Sequence, residues 1–210
     1  MPLIQGSVLG TSISTAKVSS GSTSQNFSQG NQGELLVSEY HSQLGMSCYA
    51  GALFSAGTAV AGVTLPVSTT TTATFCFYNP QGSGVFMELV EVACNLISAT
   101  GVINAIGLGC ASGQSTPTTT TVAPSLGSNR IGGANPAGTV YTSAGITATT
   151  RFIWSGMGMS VTNSTGFNNF FWAINGKVVL PPGGLAHLVV STGAQANMVV
   201  GGTWLEHPYP

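Results

Sequence analysis

Acid–base, nucleophilic or metal chemistry in this chain would have to come from very few side chains. They are four bases (Lys17, Arg130, Arg151, Lys177), five acids that are all glutamates (Glu34, Glu39, Glu88, Glu91, Glu206), three histidines (His41, His187, His207) and four cysteines (Cys48, Cys76, Cys94, Cys110). A serine triad needs an elbow of the Gly-x-Ser-x-Gly kind and a carboxylate behind its histidine; the elbow does not occur and there is no aspartate. Cys48 with His41 would be the thiol version, but both fall where a packed strand and its lead-in are expected. Glu88 and Glu91 are the one close carboxylate pair of the kind a glycosidase uses. Three residues apart on a strand they point to opposite faces and cannot flank one bond. The expected roles are structural instead: one glutamate at a subunit contact, the other at a bend or paired with Arg130 or Arg151, because a buried carboxylate needs such a partner.

The same reasoning removes the other chemistries. Zinc sites want paired ligands of the Cys-x-x-Cys kind, and these cysteines are far apart, so they read as small buried hydrophobes. His187, within "LAHLVV", reads as a core or interface histidine. "GLGCAS" (107–112) lacks the third glycine and the helix of a dinucleotide site. Four scattered cations make no stripe that could track a phosphate backbone, which argues against nucleic acid. The expectation is therefore a non-enzyme with no cofactor, no metal and no catalytic residues. One binding alternative remains: "GFNNFFWAING" (166–176), centred on Trp172, could stack sugar rings, although a strand needs the same residues for its core.

The elements that would carry these residues are set by an unusual composition. The chain of 210 residues is 43% hydrophobic and only 4% charged, with a net charge of -1, where an ordinary soluble protein is about 25% charged. So little charge gives copies little reason to stay apart, and much of the surface is expected to touch something. A bilayer crossed by helices is not expected to be that something, because Gly, Ser, Thr and Pro interrupt every apolar stretch before the roughly 20 residues that a spanning helix needs; a lipid-facing barrel is the remaining membrane alternative. "MPLIQGSVLG" has neither the basic nor the apolar region of a secretory signal.

Residues 1–33 are rich in Ser, Gly, Thr and Gln and cannot bury enough surface to fold alone, so they read either as a disordered segment or as an arm that orders on a partner. Residues 34–210 read as one domain. "GELLVSEYHSQL" (33–44) opens it with a short helix; "CYAGALFSAG" and "AGVTLPV" read as strands. In "TATFCFYN", Phe75 and Phe77 alternate with Thr74, Cys76 and Tyr78, which puts the two phenylalanines on one face. "NPQGSG" reverses the chain, with Gly82 and Gly84 free to take positive φ. "VFMELVEVACNLIS" is apolar on both faces, as a central strand would be. A Thr-, Pro- and Gly-rich loop spans about 111–138. Further on, "FFWAI" and "KVVL" flank Asn175-Gly176, which predicts a two-residue hairpin. "LAHLVVS" and "NMVVGGTWLEHP" predict a second hairpin across "TGAQA". Eight to ten strands with almost no helical period define an all-β chain, a jelly-roll-like antiparallel β-sandwich with an extended N-terminal arm.

The stretch "TFCFYNPQGSGVFMELVEVACNLISATG", preceded by "GELLVSEYHSQ" and followed by "INGKVVLPPGGLAHLVV" and "TWLEHP", resembles a group of tailed-bacteriophage virion proteins. The similarity covers most of residues 33–208 and departs in the Thr-rich loop. It implies a jelly-roll subunit on the capsid surface, a trimeric head decoration or cement protein that holds the major capsid protein lattice together and is made in the host cytoplasm. A tail, fibre or baseplate component that binds host surface glycans is the alternative. Contacts between subunits or with the capsid are expected at Ile4, Val8, Leu9, Ile13 and Phe27 of the arm, and at Arg130, Phe170 and Trp172 of the domain.

Overall fold

A computed structural model of the chain describes residues 44–67, 71–100, 105–114, 116–147, 149, 151–154, 169–191 and 195–208. These belong to one compact unit, Gln43–Pro210. The expected arm, with Ile4, Val8, Leu9, Ile13 and Phe27, lies outside the described residues, as does most of "GELLVSEYHSQL".

Among the described residues, one short helix, α1 (Gly45–Tyr49), precedes fourteen strands: β1 (Leu53–Gly57), β2 (Val63–Thr64), β3 (Thr72–Ala73), β4 (Cys76–Tyr78), β5 (Val85–Thr100), β6 (Ile106–Ala111), β7 (Thr118–Val122), β8 (Gly127–Ser128), β9 (Thr139–Gly145), β10 (Arg151–Trp154), β11 (Asn169–Ala173), β12 (Val179–Leu180), β13 (Leu185–Val190) and β14 (Gln195–Pro208). The strands form two antiparallel sheets packed face to face, the all-β sandwich expected from the strand-and-turn pattern. The first sheet runs β11-β5-β14-β1-β8, with β12 also on β5 and β2 on β14. The second runs β10-β6-β13-β4-β9-β3, with β7 also on β9. The same two stretches of chain pair in both sheets: residues 85–100 with 208–195 as β5 on β14, and residues 106–111 with 190–185 as β6 on β13.

Alternation explains the core. Phe75 and Phe77 share the face between the sheets, whereas Cys76 and Tyr78 pack on the outer face of the second sheet. Between the sheets, Phe75 meets Phe77 edge-on at 5.3 Å, Phe77 meets Trp204 at 6.0 Å and Trp204 stacks on Phe54 at 5.9 Å. A side chain at residue 202 would collide with the Phe77 ring, so Gly202 is what lets that ring reach the centre. Each such aromatic contributes about 1.5–3 kcal/mol by leaving water. Outer faces are buried too. Ala73, Cys76, Tyr78, Ala144, Ile146 and Leu185 form a cluster outside the second sheet. Outside the first, Leu44 and Cys48 pack on Leu53, Val90 and Leu205, so the helix end of "CYAGALFSAG" is a lid and only its second half is a strand.

The turn after Asn79 forms as expected, with φ of 78° at Gly82 and 71° at Gly84. Both predicted hairpins are overturned. Asn175 and Gly176 do take positive φ, 49° and 73°, but β11 and β12 do not pair with each other. Both lie antiparallel along β5, on residues 91–95 and 87–88. The Asn-Gly turn is a bulging loop in one continuing edge, held by Ile174 N–H and Asn175 N–H donating to the Val90 carbonyl at 2.8 and 2.9 Å. Likewise β13 and β14 stand in different sheets and do not pair with each other. The loop expected at 111–138 also contains strands: β7 lies on β9 in the second sheet and β8 on β1 in the first.

A bulge corrects the reading of the two glutamates. Leu89 stands opposite Trp204 and Glu91 opposite Thr203, which leaves Val90 as an extra residue and shifts the alternation by one. Met87 and Leu89 face the inter-sheet core before the bulge, Val92 and Cys94 after it. Glu88 and Glu91 consequently share the outer face.

Candidate interaction surface

The groups that could do chemistry are engaged separately. His207 Nε2 lies 2.9 Å from Glu88 Oε2 at the surface, and Thr203 Oγ1 donates to Glu91 Oε1 at 3.2 Å. Among the described residues neither glutamate pairs with Arg130 or Arg151, the partner that one of them was expected to have if it did not sit at a bend; Arg130 instead lies over the exposed ring of Tyr49, 5.8 Å from its centroid. Glu206 is the most fully used carboxylate. It accepts from Ala137 N–H at 2.9 Å, Gly138 N–H at 2.8 Å and Trp204 Nε1–H at 3.1 Å, and so ties the 129–138 segment to β14.

His187 is wholly buried on the outer face of β13, with Nε2 3.1 Å from Thr149 Oγ1. Burial pushes its imidazole down to about 4, so it is neutral at pH 7. Gly109 leaves room for this pair, since a Cβ there would run into both Thr149 and His187. Gly107, two residues back, likewise accommodates the Trp154 ring. That is the purpose of the glycines in "GLGCAS". The cysteines are free and three of them are buried. Burial raises the Cys76 thiol far above its ordinary value, Cys94 to about 12 and Cys110 to about 11, which leaves these sulfurs as inert apolar groups at neutral pH.

What the surface offers instead is exposed apolar area. At the flank where both sheets end, β10 and the β11–β12 edge present Trp154 (41% exposed), Phe171 (56%) and Val179 (48%). Phe152 stacks on Trp154 at 6.0 Å. A second patch carries Tyr49, Arg130 and the fully exposed Ile131.

Of the contact residues read from the sequence, Arg130 is exposed and Trp172 is half-buried, its ring edge-on to Phe170 at 6.5 Å. Phe170 is corrected: it is 2% exposed and belongs to the inter-sheet core, because its register opposite Cys94 turns it inward. Its neighbour Phe171 is the ring that faces out, and Trp154 is a second surface aromatic that sequence reasoning missed. The alternation of "RFIW" and "NFFWA" carries this information, but which phase faces water depends on pairing with β6 and β5. No family model, no curated protein and no solved structure matches this chain.

Proposed function

We propose that this chain is a non-enzymatic virion structural protein, a decoration or cement subunit of a bacteriophage head that works as a homo-oligomer, a trimer, against the major capsid protein. The observation that carries the reading is the pair of sheet edges ending in exposed aromatics, Trp154 and Phe171, on a chain with only 4% charged residues. Short edges of this kind are open to pairing with another chain, and natural monomers blunt them with charge. Apart from Arg151 and Lys177, covering these edges desolvates few charges among the described residues, and stable association at interfaces of about 1,200–2,000 Å² follows from shape and apolar contact. Assembly driven this way is insensitive to salt.

Strand order supports the jelly-roll part of the reading. β1-β14-β5-β11 in one sheet and β4-β13-β6-β10 in the other are the order that results when one antiparallel ribbon folds over itself, and β7, β8 and β9 then form an insertion at one flank. Jelly rolls recur in viral capsids; the fold alone does not fix function.

Mass photometry of the purified chain, followed by co-sedimentation with phage particles lacking it, tests the proposal. Oligomers that bind particles are expected, and deletion of residues 1–30 is expected to leave the oligomer intact while abolishing docking. A monomer at every concentration that never sediments with particles would overturn it.

A further inference from the structure

At the same flank the space between the sheets opens to solvent as a cavity of about 650 Å³, within the range of roughly 300–1,000 Å³ typical of small-molecule sites. One wall is the inner face of the second sheet, with Cys110, Arg151 and Ile153; the other is the edge from Lys177 to Pro181. Ser112 and Gln114 stand at the rim. Two of the chain's four cations thus converge on one cavity, and among the described residues no carboxylate lines it. In a chain so poor in charge this convergence is unlike the rest of the surface.

Register explains the placement. Arg151 stands opposite Cys110, whose side chain faces the core. The guanidinium is close enough to Cys110 to oppose part of the upward push that burial gives the thiol. Lys177 is delivered from the opposite wall by the Asn-Gly loop, where positive φ at Asn175 and Gly176 turns the backbone. Among the described residues neither cation is in an ion pair; the one such pair is His207 with Glu88.

We propose that this cavity binds a small ligand carrying one carboxylate or phosphate, whose oxyanion sits between Arg151 and Lys177 while its body rests on the apolar wall of Ile153, Val178 and Pro181. The guanidinium fork suits two oxygens of either group, and the ammonium adds a point charge. Ser112 and Gln114 suit hydroxyls on the ligand body, so an acidic sugar fits better than a fatty acid. The proposal is independent of the virion reading and survives if that reading fails.

The test is NMR or calorimetric titration of the full chain with matched probes: glucuronate, glucose 6-phosphate and neutral glucose. At least one charged sugar is expected to bind about tenfold or more tightly than glucose, and to weaken as salt rises from about 50 to about 300 mM. Preference between the two charged sugars distinguishes carboxylate from phosphate as the recognised head. Arg151→Gln with Lys177→Gln is expected to remove that advantage, with thermal unfolding unchanged because both side chains are exposed. An advantage below tenfold, absence of binding by every probe, or an advantage that persists in the double variant would overturn the proposal.

Discussion

The two flanks of the sandwich are finished in opposite ways. On one, residues 116–145 wrap from the second sheet to the first and back, and their backbone is tied down: Ser125 Oγ donates to the Gly57 carbonyl at 3.2 Å, Asn129 N–H to the Leu53 carbonyl at 3.0 Å, and Glu206 takes the N–H groups of Ala137 and Gly138. On the other, β10 and the β11–β12 edge are the outermost strands among the described residues, with exposed aromatic rings and a cavity between the sheets. The closed flank uses a scarce charge for structure, whereas the open flank keeps two charges available. Stability and recognition are thereby separated in space, and substitutions should separate them as well.

The largest effect is expected at the closed side's anchor. Trp204→Ala removes a fully buried ring that touches Phe54 and Phe77 and donates to Glu206, and should cost about 3–5 kcal/mol in denaturant unfolding. Next comes His187, on the central strand β13 between the flanks. Its imidazole is held at about 4 in the fold against 6.5 in the open chain. The unfolded state therefore gains a proton that the folded state refuses. Stability should be complete above pH 6.5 and fall by about 3 kcal/mol as the pH drops towards 4, a slope that His187→Gln removes from the urea midpoints. Glu206→Ala strips three donors of their acceptor and should cost about 1.5–3 kcal/mol, with faster amide exchange at Ala137 and Gly138. The smallest change in stability belongs to the open flank: Phe171→Ser should stay within about 0.5 kcal/mol yet weaken self-association in sedimentation velocity. If Phe171→Ser destabilised the chain as much as Glu206→Ala, the contrast between the flanks would be broken.

Local chemistry was legible where it needs no partner to interpret. Alternation in "TFCFY" places Phe75 and Phe77 together, and Gly82 and Gly84 mark their turn, because the side-chain period of a strand and the φ freedom of glycine are properties of the segment itself. Asn175-Gly176 shows the limit. The pair specifies positive φ, and the chain adopts it, but whether that makes a hairpin or a bulge depends on where β5 lies. The same holds for Glu88 and Glu91, whose shared face follows from a bulge defined across the sheet by Thr203 and Trp204. The surface was least legible: Phe170 and Phe171 are identical in type and adjacent, and only their register decides which is core and which is contact. Arg151 and Lys177 line one cavity from different sheets although 26 positions separate them, a placement that spacing cannot reveal.

The place of β14 has a consequence for biosynthesis. The strand sits in the middle of its sheet, with β5 on one side and β1 on the other, so neither ladder can close until residues 195–208 emerge from the ribosome. Nascent chains must wait with two sticky edges unpaired, and the long sequence separation of the β1–β14 ladder makes that closure slow.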